Sequence, residues 1–381
     1  MVAIAAGALA ACSPLRSGRS ECPAEAGPER PVPTQVSPRR QKPVNEALWV
    51  ADGSGVVRAF DGRTGRVSAR IRVGGPSRLG DAVLAGAGLV WAYRYETGAI
   101  AVVDPVAARV VRRAAVPPAR PLARNTLHVA HGALWIGQPG LLWRIGASGA
   151  LTRIALPAGF APGALTATRR WIWATDGRRL VRIDPAGRAV SRHQVPTNVV
   201  QDLLGTSHGL YATGANQSTV WTLDPDTAAV RYSAYLHGGQ LALGMVDTGT
   251  ETWAVGNCAD LVNVTDTGRL QARSVKISDV SQDLPAAAAL GSLWVCDEVA
   301  SELVRIDPRT GRTLARIPFP AADADDPAFA VIAGRRTIWM IDTNLANGIS
   351  QVDPTTNRIT RLVASRGVSS GVSAAVAARP R

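Results

Sequence analysis

The residues in this chain that could do chemistry are scattered, and few stand at spacings that chemistry needs. There are five histidines among 381 residues. His128 and His131 lie three apart, so on a strand they face opposite sides and do not form a metal pair. His131 and His208 each precede a glycine, which reads as a turn. Asp323, Asp325 and Asp326 offer oxygens of the kind Ca²⁺ prefers. They lack the spacing of an EF-hand loop, so the run reads as a solvated acidic loop. No nucleophile elbow, phosphate-binding glycine loop or zinc-ligand spacing occurs. What remains is a dispersed polar set of mixed sign: Asp81, Tyr93, Arg124, His128, Gln201, Asp202, Gln240 and Asp342. Such groups suit a peptide, a glycan or a small polar ligand better than a polyanion. They are the candidate ligand-binding residues. No catalytic residue and no cofactor is assigned; Mg²⁺ or Ca²⁺ is the alternative.

The elements that must position this set are repeats. An aromatic strand recurs at Trp49, Trp91, Trp135, Trp173, Tyr211, Trp253, Trp294 and Trp339, at intervals of 42, 44, 38, 38, 42, 41 and 45 residues. About a dozen residues later a second strand ends in aspartate, at Asp61, Asp104, Asp184, Asp224, Asp266, Asp307 and Asp353. The third repeat has Gly146 there. A turn such as Pro308-Arg309-Thr310-Gly311 follows, with glycine where φ must be positive. An alternating strand comes next, as in Arg312–Ile317, marking half-buried antiparallel sheet. Runs of small residues such as 285–290 separate the repeats and suit an innermost strand. Four strands per ~40 residues without a helix signal is the arithmetic of a β-propeller blade.

The fold expected is therefore all-β, with about eight four-stranded blades over residues 47–381. Seven is the alternative, if the third repeat is an insertion. The first repeat lacks an inner strand and residues 369–377 supply one without a blade, so the C-terminal strand should complete blade one. In that register the polar set lies on the inner strands and loops of one face. Cys258 and Cys296 fall at neighbouring places in successive blades and are a candidate disulfide, with two buried thiols as the alternative. The recurrent Trp residues are expected to pack between sheets, and the aspartates to bond their own turns.

The aromatic strand, the Ile-Asp-Pro-x-Thr-Gly turn and the alternating strand resemble propellers of the virginiamycin B lyase-like and YVTN-repeat groups, over about residues 47–377. The resemblance implies the scaffold. The lyase group uses a His and Glu cluster with Mg²⁺ to open a cyclic ester by elimination. Here the inferred inner strands hold Asp81, His128, Gln201, Asp202, Gln240 and Asp247, and no glutamate. A metal-assisted lyase or a hydrolase is thus the alternative to a binding or scaffold module.

Residues 1–12 end in Leu9-Ala10-Ala11-Cys12, which resembles the bacterial lipobox of a lipoprotein signal peptide, with Cys12 the lipidated residue. Residues 13–46 carry seven prolines and almost no large apolar residue, the composition of a tether that does not fold. These features place the chain outside the cytoplasmic membrane, lipid-anchored, or else secreted. The partners expected are a protein, glycan or small polar ligand of the envelope.

A net charge of +13 invites a nucleic-acid reading. All but two of the 42 basic residues are arginine, set singly along the strands, and residues 1–46 carry only +2 of the excess. Export removes nucleic acid as a partner. What remains is a weak, salt-screened attraction to anionic surfaces.

Overall fold

A computed structural model describes residues 46–51, 53–77, 81–118, 126–188, 190–195, 200–214, 218–236, 242–256, 260–264, 274–278, 284–319, 329–342, 348–363 and 373–378. Among them are 32 strands, counted β1 to β32 in chain order, and no helix. They form eight antiparallel sheets of four strands each, an eight-bladed β-propeller. In blade one, β3 (Val67–Arg72), β2 (Val56–Asp61) and β1 (Glu46–Ala51) are followed by β32 (Ser373–Ala378). The other seven blades each use four consecutive strands. The third repeat, with Gly146 in place of the aspartate, is a complete blade (β8 to β11), which settles the count at eight. β1 starts at Glu46, which sequence composition places at the end of the tether.

The described residues fall into two compact units. One holds the described residues from 46 to 161 and from 329 to 378, and so blades one, two, three and eight; the other holds those from 162 to 319, blades four to seven.

In the first unit, alternation along each second strand sends one set of side chains to each neighbouring blade. Trp49 packs with Val83, Val90 and Ala92 of blade two. Trp91 packs against Leu127, Leu134 and Ile136 of blade three. Trp339 packs against Leu48, Val50 and Val376 of blade one. Glu46 adds a polar tie: its carboxylate accepts from the N–H groups of Arg335 and Arg336, at 2.8 and 3.2 Å, and from the Thr337 hydroxyl at 3.4 Å. In the second unit, Trp173 packs with Leu203, Leu210 and Leu223 of blade five, and Trp253 with Leu293, Val295 and Val304 of blade seven. In these five repeats the aromatic is therefore an interblade wedge, as its spacing implies.

The aspartate turns are backbone devices. Asp61, Asp224 and Asp353 each accept from N–H groups two or three residues ahead, at 2.6–2.9 Å. Burial raises the carboxyl pKa of Asp224, but the Arg231 guanidinium and the N–H groups of Asp226 and Thr227 outweigh it and hold it at about 2. Four residues after the aspartate the chain turns left-handed. Gly65 and Gly311 do this at φ 63° and 72°, but Ala108, Ala228 and Asn357 occupy the same place at 49°, 58° and 53°. Glycine is preferred there but not required, because the following strand pairing holds the turn.

Candidate functional site

Of the sequence-nominated residues that are described, Asp81, Tyr93, His128 and Asp342 belong to the first unit and Gln201 and Asp202 to the second. Asp81 opens the inner strand β4 (Asp81–Gly86), which pairs with β5 (Leu89–Arg94) in the register Asp81 opposite Arg94. Directly opposed side chains share a face of the sheet. Arg94 Nε accordingly donates to Asp81 Oδ1 at 3.2 Å, and the two side chains are 7% and 1% exposed. Burial raises the Asp81 carboxyl pKa above its ordinary value; Arg94 pulls it down and the charge of Glu96 pushes it up. Val83 and Ala92, the next pair on this face of the sheet, belong to an apolar layer.

Tyr93 is on the opposite face of β5. Sequence register placed it in a ligand-facing loop; it is instead strand, fully buried with Leu127, Leu134 and Ile136, because its alternation partner Trp91 faces the same layer. It meets Tyr95 edge to face, with ring centroids 5.2 Å apart. Burial, and then the neighbouring Tyr93, push the Tyr95 phenol up to about 12.

His128 lies on the inner strand β8 (Leu127–Ala130), opposite Trp135, and is half-buried. Burial, and then the charge of His131, lower its pKa from 6.5 to about 4. His131 is exposed in the following hairpin turn at φ 49°, with Gly132 at 73°, so its turn role holds.

The sign of a pH effect follows for His128. The unfolded chain protonates this ring near 6.5 and the folded chain only near 4, so the unfolded state binds more protons between those values. Stability should be intact above pH 6.5 and fall as pH drops toward 4. His128→Gln should flatten that slope. Urea midpoints at pH 7.5, 6 and 5 measure it, and an undiminished slope in the variant would refute the assignment.

In the second unit, Gln201 and Asp202 open the inner strand β16 (Val200–Gly205) at a bulge between Val200 and Asp202. Gln201 is exposed. Burial raises the Asp202 pKa, against hydrogen bonds accepted from the N–H groups of Leu203 and Met245. Met245 lies on β20 (Ala242–Asp247), the inner strand of the next blade, so Asp202 stitches two blades. Hydroxyls do the same elsewhere. Thr166 Oγ1 accepts from Gly205 N at 2.7 Å within the second unit, and Ser373 Oγ from Val83 N at 2.9 Å within the first.

Asp342 ends β29 (Ile338–Asp342) opposite Phe329. Arg124, Gln240, Cys12, the 323–326 acidic run and Cys258 lie outside the described residues. Cys296 is a free, fully buried thiol; burial, and then Glu298 and Asp297, push its pKa well above the ordinary value. No group of three or more His, Cys, Asp or Glu able to hold a metal occurs among the described residues.

Arg94 is not among the candidates that the sequence nominated beside Asp81. The signal was available: both residues flank one hairpin at equal distances from its Ala87-Gly88 turn.

The class defined by this architecture is the eight-bladed β-propeller. No family model and no curated protein matches the chain. Among solved structures it is similar to apo AztD of Citrobacter koseri, at TM-score 0.67 and 13% identity over 87% of this chain and 98% of that one. It is also similar to BamB of Moraxella catarrhalis, at 0.58 and 14% over 84% and 99%. Virginiamycin B lyase of Staphylococcus aureus follows at 0.52 and 17% over 68% and 90%. At these identities the likeness is one of fold.

Proposed function

We propose that this protein is an extracytoplasmic, lipid-anchored propeller that binds a protein, glycan or small polar ligand at the cell envelope. The observation that carries the reading is the order of its parts: Leu9-Ala10-Ala11-Cys12, then the Pro-rich segment 13–46, then eight blades. An acyl chain on Cys12, with the Pro-rich segment as spacer, holds a folded body near a membrane without a spanning helix. The body suits recognition, since blades stitched by Asp202, Thr166, Ser373 and Glu46 give their connecting loops fixed bases.

Growth with an alkyne-bearing palmitate tests the anchor. The wild-type chain should carry label and sediment with membranes, while Cys12→Ala loses both. An unlabelled wild-type chain would overturn the anchoring.

A further inference from the structure

We propose that Arg94 and Asp81 form a site for a small carboxylate bearing an adjacent amine or hydroxyl. The Arg94 fork takes the carboxylate and Asp81 Oδ2 accepts from the second group.

The argument is one of unused hydrogen-bonding capacity. A guanidinium has five N–H donors and a carboxylate two acceptor oxygens. Among the described residues, Arg94 uses its Nε–H alone and Asp81 uses Oδ1 alone. Asp81 Oδ2 is sealed from solvent with no hydrogen-bond partner. A buried polar atom left so costs free energy unless something satisfies it. A purely structural ion pair at this depth would use its second oxygen and the planar fork together. Here the single Nε contact leaves Nη1 and Nη2 without a hydrogen-bond partner among the described residues.

The surroundings fit a seat made for this arginine. Gly74 lies against the guanidinium so closely that a Cβ there would overlap Nη1. Next along the same face of the sheet stand Val83 and Ala92, opposite one another in register, which offer no hydrogen bonds. Arg94 is the more exposed of the two side chains, at 7% against 1%. Burial raises the Asp81 pKa, in keeping with a carboxylate oxygen sealed from solvent.

The inference rests on the binding-module reading and adds a ligand class to it. Calorimetric titration of the full-length chain with acetate, glycine, lactate and methylamine tests it. Glycine or lactate should bind roughly tenfold or more tighter than acetate, and methylamine should not bind. Asp81→Asn should erase the preference over acetate, and Arg94→Gln should remove binding of all carboxylates. Gly74→Ala keeps both charges and displaces only the guanidinium; it should weaken glycine or lactate at least roughly tenfold and serves where the charge variants fail to fold. Equal affinity for acetate and glycine, no saturation by any carboxylate, or unchanged binding in Gly74→Ala would overturn the site. None of these results bears on Cys12 labelling, so the two readings fail separately.

Discussion

A chain ending at residue 371 will not reach the native state. β32 pairs with β1 at six positions, from Glu46 opposite Ala378 to Ala51 opposite Ser373. Every residue of β1 is buried, so losing β32 uncovers an apolar strand with a row of unpaired backbone groups. Such edges pair with other chains. The loss also reaches both neighbouring layers. Ala375 belongs to the layer containing Trp49 and Val83, and Ala374 and Val376 to the layer containing Trp339 and Ile341. The Ser373 tie to Val83 disappears with them. At about 1 kcal/mol per backbone hydrogen bond, before any apolar surface is counted, the loss is comparable to the ~5–15 kcal/mol that holds a whole domain. Size-exclusion chromatography and near-UV circular dichroism should show aggregated or molten protein. Moving residues 371–381 ahead of Glu46 through a short linker should restore a native spectrum. A truncated chain with a native elution volume and unchanged midpoint would refute this account of β32.

Trp91→Ala should cost about 3–5 kcal/mol. The side chain is fully buried among Leu84, Ile100 and Val102 of its own blade and Leu127, Leu134, Ile136 and Ile145 of the next. Strands on both sides hold their places through backbone pairing, so the cavity cannot collapse and most of the lost contact goes unreplaced. No hydrogen bond is involved, because the indole N–H is buried without an acceptor. Trp91→Phe therefore separates packing from polarity: it retains much of the volume, removes an unsatisfied donor and should cost less than about 1.5 kcal/mol. Urea midpoints of the two variants measure the difference. A loss below about 1 kcal/mol for Trp91→Ala would show that the aromatic is not the interblade wedge.

The scaffold was legible in the sequence to an unusual depth because its causes are local and repeated. Each blade needs a wedge at one place on its second strand, an acceptor to close the turn after its third, and a left-handed residue four positions on. Those needs write Trp, Asp and Gly at a fixed period. Exceptions such as Gly146, Ala108 and Asn357 are tolerated because flanking strand pairs already set the turn. The split of blade one between the two ends of the chain was legible too, as an inner run without a blade at one end and a blade without an inner run at the other.

The candidate site was legible only in part. Alternation predicts that Tyr93 and Arg94 point to opposite faces, but not which of them meets an apolar layer and which an opposing carboxylate. Tyr93 was lost to the core for that reason. The sequence nominated Asp81 and Asp202 alike, as acids on inner strands. Their fates diverge with what the next strand offers, an arginine across the hairpin for one and the backbone N–H of Met245 for the other.

What the sequence determined by itself is the repeat: strand order, wedges and turns, all set by interactions within some forty residues, while the count of eight against seven waited on the β8 to β11 blade. The tertiary structure alone decided which polar groups keep hydrogen-bonding capacity to spare. That depends on residues far apart in the chain, such as Gly74 against Arg94 and Ser373 against Val83, and on the depth at which each pair is buried.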